Sequence, residues 1–199
     1  MEFFHQGAGQ PSHLGVLPGT FNPITVAHLA LAQAALGRVE QVLFVLPRAF
    51  PHKPYQGASF QQRIEMLRTA LRDSAAFSVA ASDGGLFVEI AGECRAAYGE
   101  AMRLSFLCGR DAAERIAAWD YGRPNAFASM LGQFDLLVAD RDGEYHPPRE
   151  LRARIHALQL PSGLELVSAS DVRERIVRGQ PWEHLVPAAV HQLVREAYG

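Results

Sequence analysis

Short apolar runs alternate with helical segments along the chain, and this alternation limits the folds that the sequence can adopt. Residues 14–17 (Leu-Gly-Val-Leu) and 42–46 (Val-Leu-Phe-Val-Leu) have the length and the apolar character of buried strands. Between them, residues 26–36 are apolar apart from His28 and Gln33, which indicates a buried helix. A strand, a helix and a second strand of this size are typical of a right-handed crossover in a parallel sheet.

The rest of the chain continues this alternation. Ser59 and Gln62 form a capping-box pattern that predicts a helix to about Arg72. Further strands are predicted at 77–81, 104–108, 134–139 and 164–167, and further helical segments within 84–100 and 111–131 and at 147–158, 171–178 and 188–198. We therefore expect an α/β fold, a Rossmann-like and mainly parallel sheet with flanking helices and a C-terminal helical lobe. Residues 14–199 are expected to form this single domain, and residues 1–13 a mobile N-terminal extension.

Composition excludes several classes of protein. The chain has 199 residues, of which 48% are hydrophobic and 20% charged, as in an ordinary globular domain. No apolar run approaches the roughly 18 residues of a membrane span, and the first residues lack the pattern of a signal peptide. Cys94 and Cys108 lack the spacing of a metal site or a disulfide framework, so a cytoplasmic protein is expected. A net charge of −2 favours neither nucleic acid nor a membrane as a partner, and the oligomeric state stays open.

The loop after the first of these strands carries the first candidate site. Residues 18–28 (Pro-Gly-Thr-Phe-Asn-Pro-Ile-Thr-Val-Ala-His) leave a buried strand and enter a buried helix. Gly19 lets a ligand approach the backbone, and Thr25 is placed to cap the helix. His28 then lies in the first helical turn, where N–H groups and the helix dipole favour an anion such as phosphate. The alternative is a histidine bonded to a backbone carbonyl, but the surrounding residues favour phosphate binding.

Two further loops carry residue types that bind phosphate. Lys53, the single lysine of the chain, lies in the Pro-His-Lys-Pro sequence of residues 51–54, although a solvated surface charge is the alternative interpretation. Ser170 is a predicted helix N-cap and Arg173 lies one turn inside that helix, so a hydroxyl and a guanidinium face the same side. The sequence has no Gly-x-x-x-x-Gly-Lys-Ser/Thr loop, no His-Glu-x-x-His motif and no nucleophile elbow. Covalent catalysis and a protein-held zinc are therefore disfavoured.

These motifs resemble those of a known superfamily. Gly-Thr-Phe-Asn-Pro-Ile-Thr-x-x-His at residues 19–28 is similar to the first signature of the (His/Thr)-x-Gly-His nucleotidylyltransferases, and Ser-x-Ser-x-x-Arg at 168–173 resembles their second. Within that superfamily, the Pro-His-Lys loop, the helix that contains Arg63 and the segment 109–119 (Gly-Arg-Asp followed by a tryptophan) are similar to nicotinate-mononucleotide adenylyltransferases.

The resemblance implies a reaction in which a phosphate of an acceptor attacks the α-phosphorus of ATP. Pyrophosphate leaves without a covalent enzyme intermediate, and Mg²⁺ is carried on the ATP phosphates. The resemblance implies that His28 and Thr25 bind the α- and β-phosphates, and that Ser170 and Arg173 bind the β- and γ-phosphates. Lys53 is implied to bridge the phosphates of donor and acceptor, and Trp119 and Asn22 to bind the acceptor. The residues implied to contact the nucleotide are Gly19, Thr20, Phe21, Gly109 and Asp111.

Two departures from the family's pattern bear on the substrates. Ala27 stands in place of the usual glycine near the nucleotide. Residues 86–91 (Leu-Phe-Val-Glu-Ile-Ala) replace the polar Ser-Tyr-Thr-x-Asp-Thr stretch that helps nicotinate-type enzymes to recognise the pyridine nucleotide.

The expected function is AMP transfer from ATP to nicotinate or nicotinamide mononucleotide in NAD synthesis. The alternatives are transfer to a different phosphate acceptor and a non-catalytic ATP-binding homologue.

Overall fold

The computed structural model describes residues 1–48, 57–118, 126–139, 145–164 and 166–199. In this part of the chain, seven strands form one sheet in the order β1-β4-β3-β2-β5-β6-β7. The strands are β1 (Glu2–His5), β2 (His13–Pro18), β3 (Gln41–Pro47), β4 (Phe77–Ser82), β5 (Arg103–Gly109), β6 (Asp135–Ala139) and β7 (Ile155–Leu158). All neighbouring strands are parallel except β1, which pairs antiparallel with β4. The predicted α/β fold with a mainly parallel sheet is confirmed.

The helices cover both faces of the sheet. They are α1 (Val26–Ala35), α2 (Phe60–Leu71), α3 (Phe87–Tyr98), α4 (Arg110–Ala118), α5 (Ala126–Met130), α6 (Ala169–Val177) and α7 (His191–Tyr198). Strand side chains point alternately to the two faces. In β3, Val42 and Phe44 therefore belong to the core under α1, α2, α6 and α7, whereas Leu43 and Val45 belong to the core under α3, α4 and α5. Two turns of 3₁₀ helix, Glu183–Leu185 and Ala188–Val190, join α6 to α7 in the C-terminal lobe.

The order of the strands reverses between β2 and β5. From β2 the chain continues to β3 and β4 on one side, and it then returns to form β5 on the other side of β2. The loop that follows β2 and the start of α4, which follows β5 directly, therefore lie at the same edge of the sheet, and α1 and α4 pack on opposite faces. Parallel α/β sheets bind their ligands at such a point, beyond the carboxyl ends of the strands.

The N-terminal residues differ from the prediction of a mobile extension. Residues 2–5 form β1, an edge strand whose Glu2 and Phe3 are paired with Ala81 and Ala80 of β4. Gly7 donates from its backbone N–H to the Ser78 hydroxyl at 2.9 Å. A strand of four residues that pairs with a distant partner leaves little trace in a local sequence pattern, and the polar segment that follows it favours a loop.

The segment 147–158 also differs from its prediction as a helix. Leu151, Ile155 and Leu158 have the spacing of one face of a helix, but this spacing does not exclude a turn followed by a short strand. The segment instead forms a short 3₁₀ turn, Arg149–Leu151, and then β7, which pairs with β6 at the edge of the sheet. The strand predicted at 164–167 is also absent from the described residues of that range, where the Val167 N–H closes a turn on the Leu164 carbonyl at 3.2 Å.

In the described part of the chain, no helix combines the length and the apolar character that crossing a membrane requires.

His13 gives the fold a dependence on pH. The ring Nε2 of His13 lies 2.8 Å from the Ser105 hydroxyl at the start of β2 and β5. Burial and the neighbouring Arg103 lower the pKa of His13 below its ordinary value, although Asp135 and Glu40 act in the opposite direction. As the pH falls, the unfolded chain binds this proton before the folded protein does.

We therefore expect the free energy of unfolding to fall as the pH decreases from about 6.5 towards the lowered pKa of His13. Replacing His13 with Asn should remove this part of the pH dependence, as measured by urea unfolding between about pH 5 and pH 8. The exposed His184, replaced with Asn, is the matched control. An unchanged pH dependence in the His13→Asn variant would contradict the assignment.

Candidate active site

The loop between β2 and α1, residues 18–25, is held in a tight conformation. Phe21 has a φ of 43°, in the left-handed region that costs a bulky residue about 1–3 kcal/mol. Its buried ring packs edge-on against His28, with ring centroids 5.2 Å apart, and against Phe44 at 5.7 Å. A Cβ at Gly19 would lie 2.9 Å from this ring, so the position requires glycine. The Gly19 N–H donates to the Val45 carbonyl at 3.0 Å, which ties the loop to β3.

Thr25 caps α1, as predicted, and it orients His28. Thr25 has an extended backbone and is fully buried, and His28 is the third residue of the helix that it starts. The Thr25 N–H donates to Nδ1 of His28 at 3.0 Å, and the Thr25 hydroxyl lies 2.8 Å from the same nitrogen. Because Nδ1 accepts a backbone hydrogen bond, the neutral ring carries its hydrogen on Nε2. The imidazole is thus fixed as a donor in the N-terminal turn of α1, where an anion is favoured.

A buried arginine supports the same loop from the other side. Arg63 of α2 is 3% exposed, and its Nη1 donates to the Thr20 carbonyl at 3.0 Å. The sequence analysis noted that the helix containing Arg63 resembles a helix of the family, but it assigned no role to Arg63. Its position in the sequence could have indicated one, since Arg63 lies among the buried residues Ile64, Met66 and Leu67 of α2. A charged residue in such a stripe needs a polar partner inside the protein.

Arg173 connects the second signature to the first. Its Nη1 donates to the Asn22 carbonyl at 2.5 Å and to the Ala169 carbonyl at 3.1 Å, and its Nη2 lies 3.2 Å from the Ser170 hydroxyl. The structure therefore brings together two segments that are 151 residues apart in the sequence. The prediction of Ser170 as the N-cap is wrong. Ser168 is the N-cap, because its hydroxyl accepts the Asp171 N–H at 3.1 Å, and Ser170 is the exposed second residue of α6.

The Asn22 side chain, which the resemblance assigned to the acceptor, lies inside the protein. It is 5% exposed, and its Oδ1 accepts the Ala58 N–H at 3.3 Å and the Tyr198 hydroxyl. Sequence reasoning did not identify Tyr198, because nothing in a local pattern connects the last helix to a loop near the start of the chain. Contact between Asn22 and an acceptor stays a prediction.

The remaining predicted residues divide into two groups. Gly109 ends β5 and Asp111 is exposed in the first turn of α4, so both lie at the carboxyl end of the strand that neighbours β2. Their contacts with a nucleotide stay predictions, as do those of Gly19, Thr20 and Phe21. Lys53 and Trp119 lie outside the described residues, and so does the rest of the Pro-His-Lys-Pro loop.

The stretch 86–91 begins α3 and packs into the second core. The Phe87 ring stacks on Phe106, with centroids 4.5 Å apart and an interplanar angle of 17°. The Glu89 carboxylate accepts the backbone N–H groups of Gly85 and Leu86, both at 2.9 Å. The aromatic side chain that remains in this stretch therefore contributes to a hydrophobic core, and its glutamate caps its own helix.

The described residues offer neither a thiol nucleophile nor a cluster of metal ligands. Cys94 and Cys108 are buried, and burial raises the pKa of each thiol to about 12, which keeps both protonated and poorly nucleophilic. In the described part of the chain, no group of three or more His, Cys, Asp or Glu side chains could hold a metal ion. What the site presents is a helix N-terminus, an oriented histidine and a guanidinium, a set suited to a phosphate chain.

Known proteins are similar in sequence to most of the chain. A family model described as cytidylyltransferase-like matches residues 16–175. A probable nicotinate-nucleotide adenylyltransferase of Moorella thermoacetica is 30% identical, with 94% of this chain and 90% of the relative covered. One of Solibacter usitatus is 31% identical, with 89% and 94% covered.

Solved structures show the same fold at low identity. The nicotinic acid mononucleotide adenylyltransferase of Plasmodium falciparum, in complex with NaAD, has a TM-score of 0.71 at 14% identity, with 92% of this chain and 95% of that chain covered. The structure of a protein named putative nicotinate-nucleotide adenylyltransferase, from Vibrio parahaemolyticus, has a TM-score of 0.57, also at 14% identity, with 92% of each chain covered. These similarities establish the architecture.

The hydrogen bond from Thr25 predicts the tautomer of His28. In ¹⁵N-histidine-labelled protein, long-range ¹H–¹⁵N spectra recorded above the pH range in which histidines titrate should show the Nε2–H tautomer for His28. A ring with the hydrogen on Nδ1 would contradict the orientation described for the site. The spectrum of a His28→Gln variant assigns the signal.

Proposed function

Since the chain belongs to the cytidylyltransferase-like family and, within it, to the nicotinate-nucleotide adenylyltransferases, we propose that it transfers AMP from ATP to a mononucleotide. The acceptor is nicotinate or nicotinamide mononucleotide, and the reaction belongs to NAD synthesis. An oxygen of the acceptor phosphate attacks the α-phosphorus of ATP. The bond from that phosphorus to the oxygen of the β-phosphate breaks, and pyrophosphate leaves.

The observation that carries this proposal is the hydrogen bond from Arg173 to the Asn22 carbonyl. It places the guanidinium of α6 at the loop whose helix begins with Thr25 and contains His28. Phosphoanhydride exchange needs its reactants held in line and the growing negative charge neutralised, and it needs no protein nucleophile. A guanidinium, an imidazole donor and helical N–H groups at one edge of the sheet meet that requirement.

Each cationic or donor group has a position in this reaction. The Nε2–H of His28 donates to an oxygen of the α- or β-phosphate, and Thr25 keeps the ring in that orientation. Arg173 and the exposed hydroxyl of Ser170 hold the β- and γ-phosphates, which become the leaving pyrophosphate. Lys53 bridges the phosphates of donor and acceptor by analogy with the family.

Mg²⁺ enters the site on the phosphates of ATP. The ion keeps much of its water shell and prefers phosphate and carboxylate oxygens. When bound, it neutralises part of the phosphate charge. The Arg173 guanidinium and the Nε2–H of His28 act on the charge that remains.

One observation favours a second candidate, transfer to a different phosphate acceptor. The stretch 86–91 has none of the polar side chains with which the family recognises a pyridine ring, and its one charged residue, Glu89, stands at the variable position of that pattern. The Glu89 carboxylate is bonded to its own backbone, and Phe87 is packed on Phe106. A non-catalytic ATP-binding homologue is the third candidate, which the presence of both signatures disfavours.

Pyrophosphate release separates these candidates. With ATP and Mg²⁺, we expect release to depend on nicotinate or nicotinamide mononucleotide, supplied as separate acceptors, and the dinucleotide product to form in equal amount. No release with either acceptor, while ATP still binds, would contradict the proposal. A release with other phosphate-bearing acceptors would then support the second candidate, and ATP binding without any release would support the third.

Arg173 tests the phosphate site itself. Replacing it with Ala should lower turnover about a hundredfold or more, because charge stabilisation is lost in the transition state. The matched control is Arg178→Ala on the same helix, since Arg178 is exposed and pairs with Glu174 at 3.6 Å. That control should change neither turnover nor stability by much. Equal turnover in the two variants would refute the role of Arg173.

A further inference from the structure

The hydroxyl of Tyr198 reaches the phosphate-binding loop from the last helix. It donates to Oδ1 of Asn22, a residue 176 positions away in the sequence. The same oxygen accepts the Ala58 N–H, and the backbone carbonyl of Asn22 accepts Arg173. Asn22 therefore joins four parts of the chain: its own loop, the start of α2, α6 and α7.

The packing around Asn22 leaves little room for another arrangement. Gly57 has a φ of +133°, and a Cβ there would lie 2.5 Å from the amide group of Asn22. The residue before Asn22 is Phe21, with its left-handed backbone, and Asn22 itself is 5% exposed. A loop in such a conformation persists only where its surroundings determine it strongly.

The helix that carries Tyr198 is itself firmly held. Val194 of α7 is fully buried, and α7 packs against both α2 and α6. His191, the first residue of α7, bonds through Nε2 to the Glu183 carbonyl at 2.9 Å. Arg195, one turn further along, pairs with the Glu183 carboxylate at 3.4 Å. The Tyr198 hydroxyl is thus a fixed donor and can set the position of the amide that it contacts.

We propose that Tyr198 is a positioning residue for adenylyl transfer and that it acts through Asn22. The tyrosine holds the Asn22 amide, the amide fixes the loop 18–25, and the loop presents its carbonyl to Arg173 and its helix start to the phosphates. The Asn22 side chain also accepts the N–H of Ala58, which follows the Lys53 loop in the sequence. This inference rests on the proposed function, and it assigns to the C-terminal helix a part in catalysis that neither signature motif contains.

The test is a Tyr198→Phe variant, which removes one hydroxyl and keeps the ring. We expect kcat for pyrophosphate release to fall about three- to tenfold, the effect of one hydrogen bond, with little change in KM for ATP. Amide hydrogen exchange should rise in residues 19–25 and at Ala58, whose N–H shares the same acceptor, and should stay unchanged in β5. Unchanged kcat together with unchanged exchange would overturn the proposal.

Tyr98→Phe is the matched control. Tyr98 is also half-buried, its hydroxyl bonds to Ser78, and it ends α3 beside Phe3, away from the loop. This control should leave kcat and the exchange of residues 19–25 as they are. An equal loss of kcat in both variants would show a general effect of losing a tyrosine hydroxyl and would overturn the proposal.

A second comparison asks whether Tyr198 acts through Asn22. In an Asn22→Ala background, Tyr198→Phe should cause no further loss of kcat, and full additivity would overturn the proposed route. If Asn22→Ala does not fold, the comparison with Tyr98→Phe decides alone. If the wild-type protein transfers AMP to no acceptor, the proposed function fails, and the exchange measurement still decides whether Tyr198 holds the loop.

Discussion

The hydrogen bond between the Arg173 guanidinium and the Asn22 carbonyl is the contact on which the candidate site depends. A hydrogen bond from a charged donor contributes about 1.5–3 kcal/mol, more than a neutral one. Here it also joins α6 to the loop of α1, so that the two signatures form one surface. Without this contact, each signature would be a separate helix start with a modest attraction for anions.

The sheet determines where this contact can form. β2 lies at the point where the strand order reverses, and its loop enters α1 while β5 continues directly into α4. A phosphate chain over the end of β2 therefore meets the N-terminus of α1 without crossing another element. α6 follows β7 at the far edge of the sheet, and it returns to the centre because Val172 is buried in the same core as Ile24 and Leu31.

Local sequence patterns predicted what depends on neighbours in the chain. The strands β2 to β6, the helices α1 and α2 and the cap at Thr25 all follow from apolar runs and capping residues. Features that depend on distant partners were missed or misplaced. The edge strands β1 and β7 form because they hydrogen-bond to β4 and β6, which are distant in the sequence. Arg63 is tolerated among buried residues because its guanidinium donates to the Thr20 carbonyl. The N-cap of α6 was placed two residues late because Ser168 and Ser170 are equivalent in a local pattern, and only the bond to Asp171 distinguishes them.

The two cores separate the phosphate site from the stretch that departs from the family's pattern. α1, α2, α6 and α7, which hold His28, Arg63, Arg173 and Tyr198, share the core on one face of the sheet. The stretch 86–91 begins α3 and packs on Phe106 and Phe134 on the other face. The stretch therefore shares no core with the helices that hold Asn22's partners Arg173 and Tyr198. Under the proposed function, this division separates the residues that replace the family's acceptor pattern from the groups proposed to bind phosphate, because the sheet lies between the two cores.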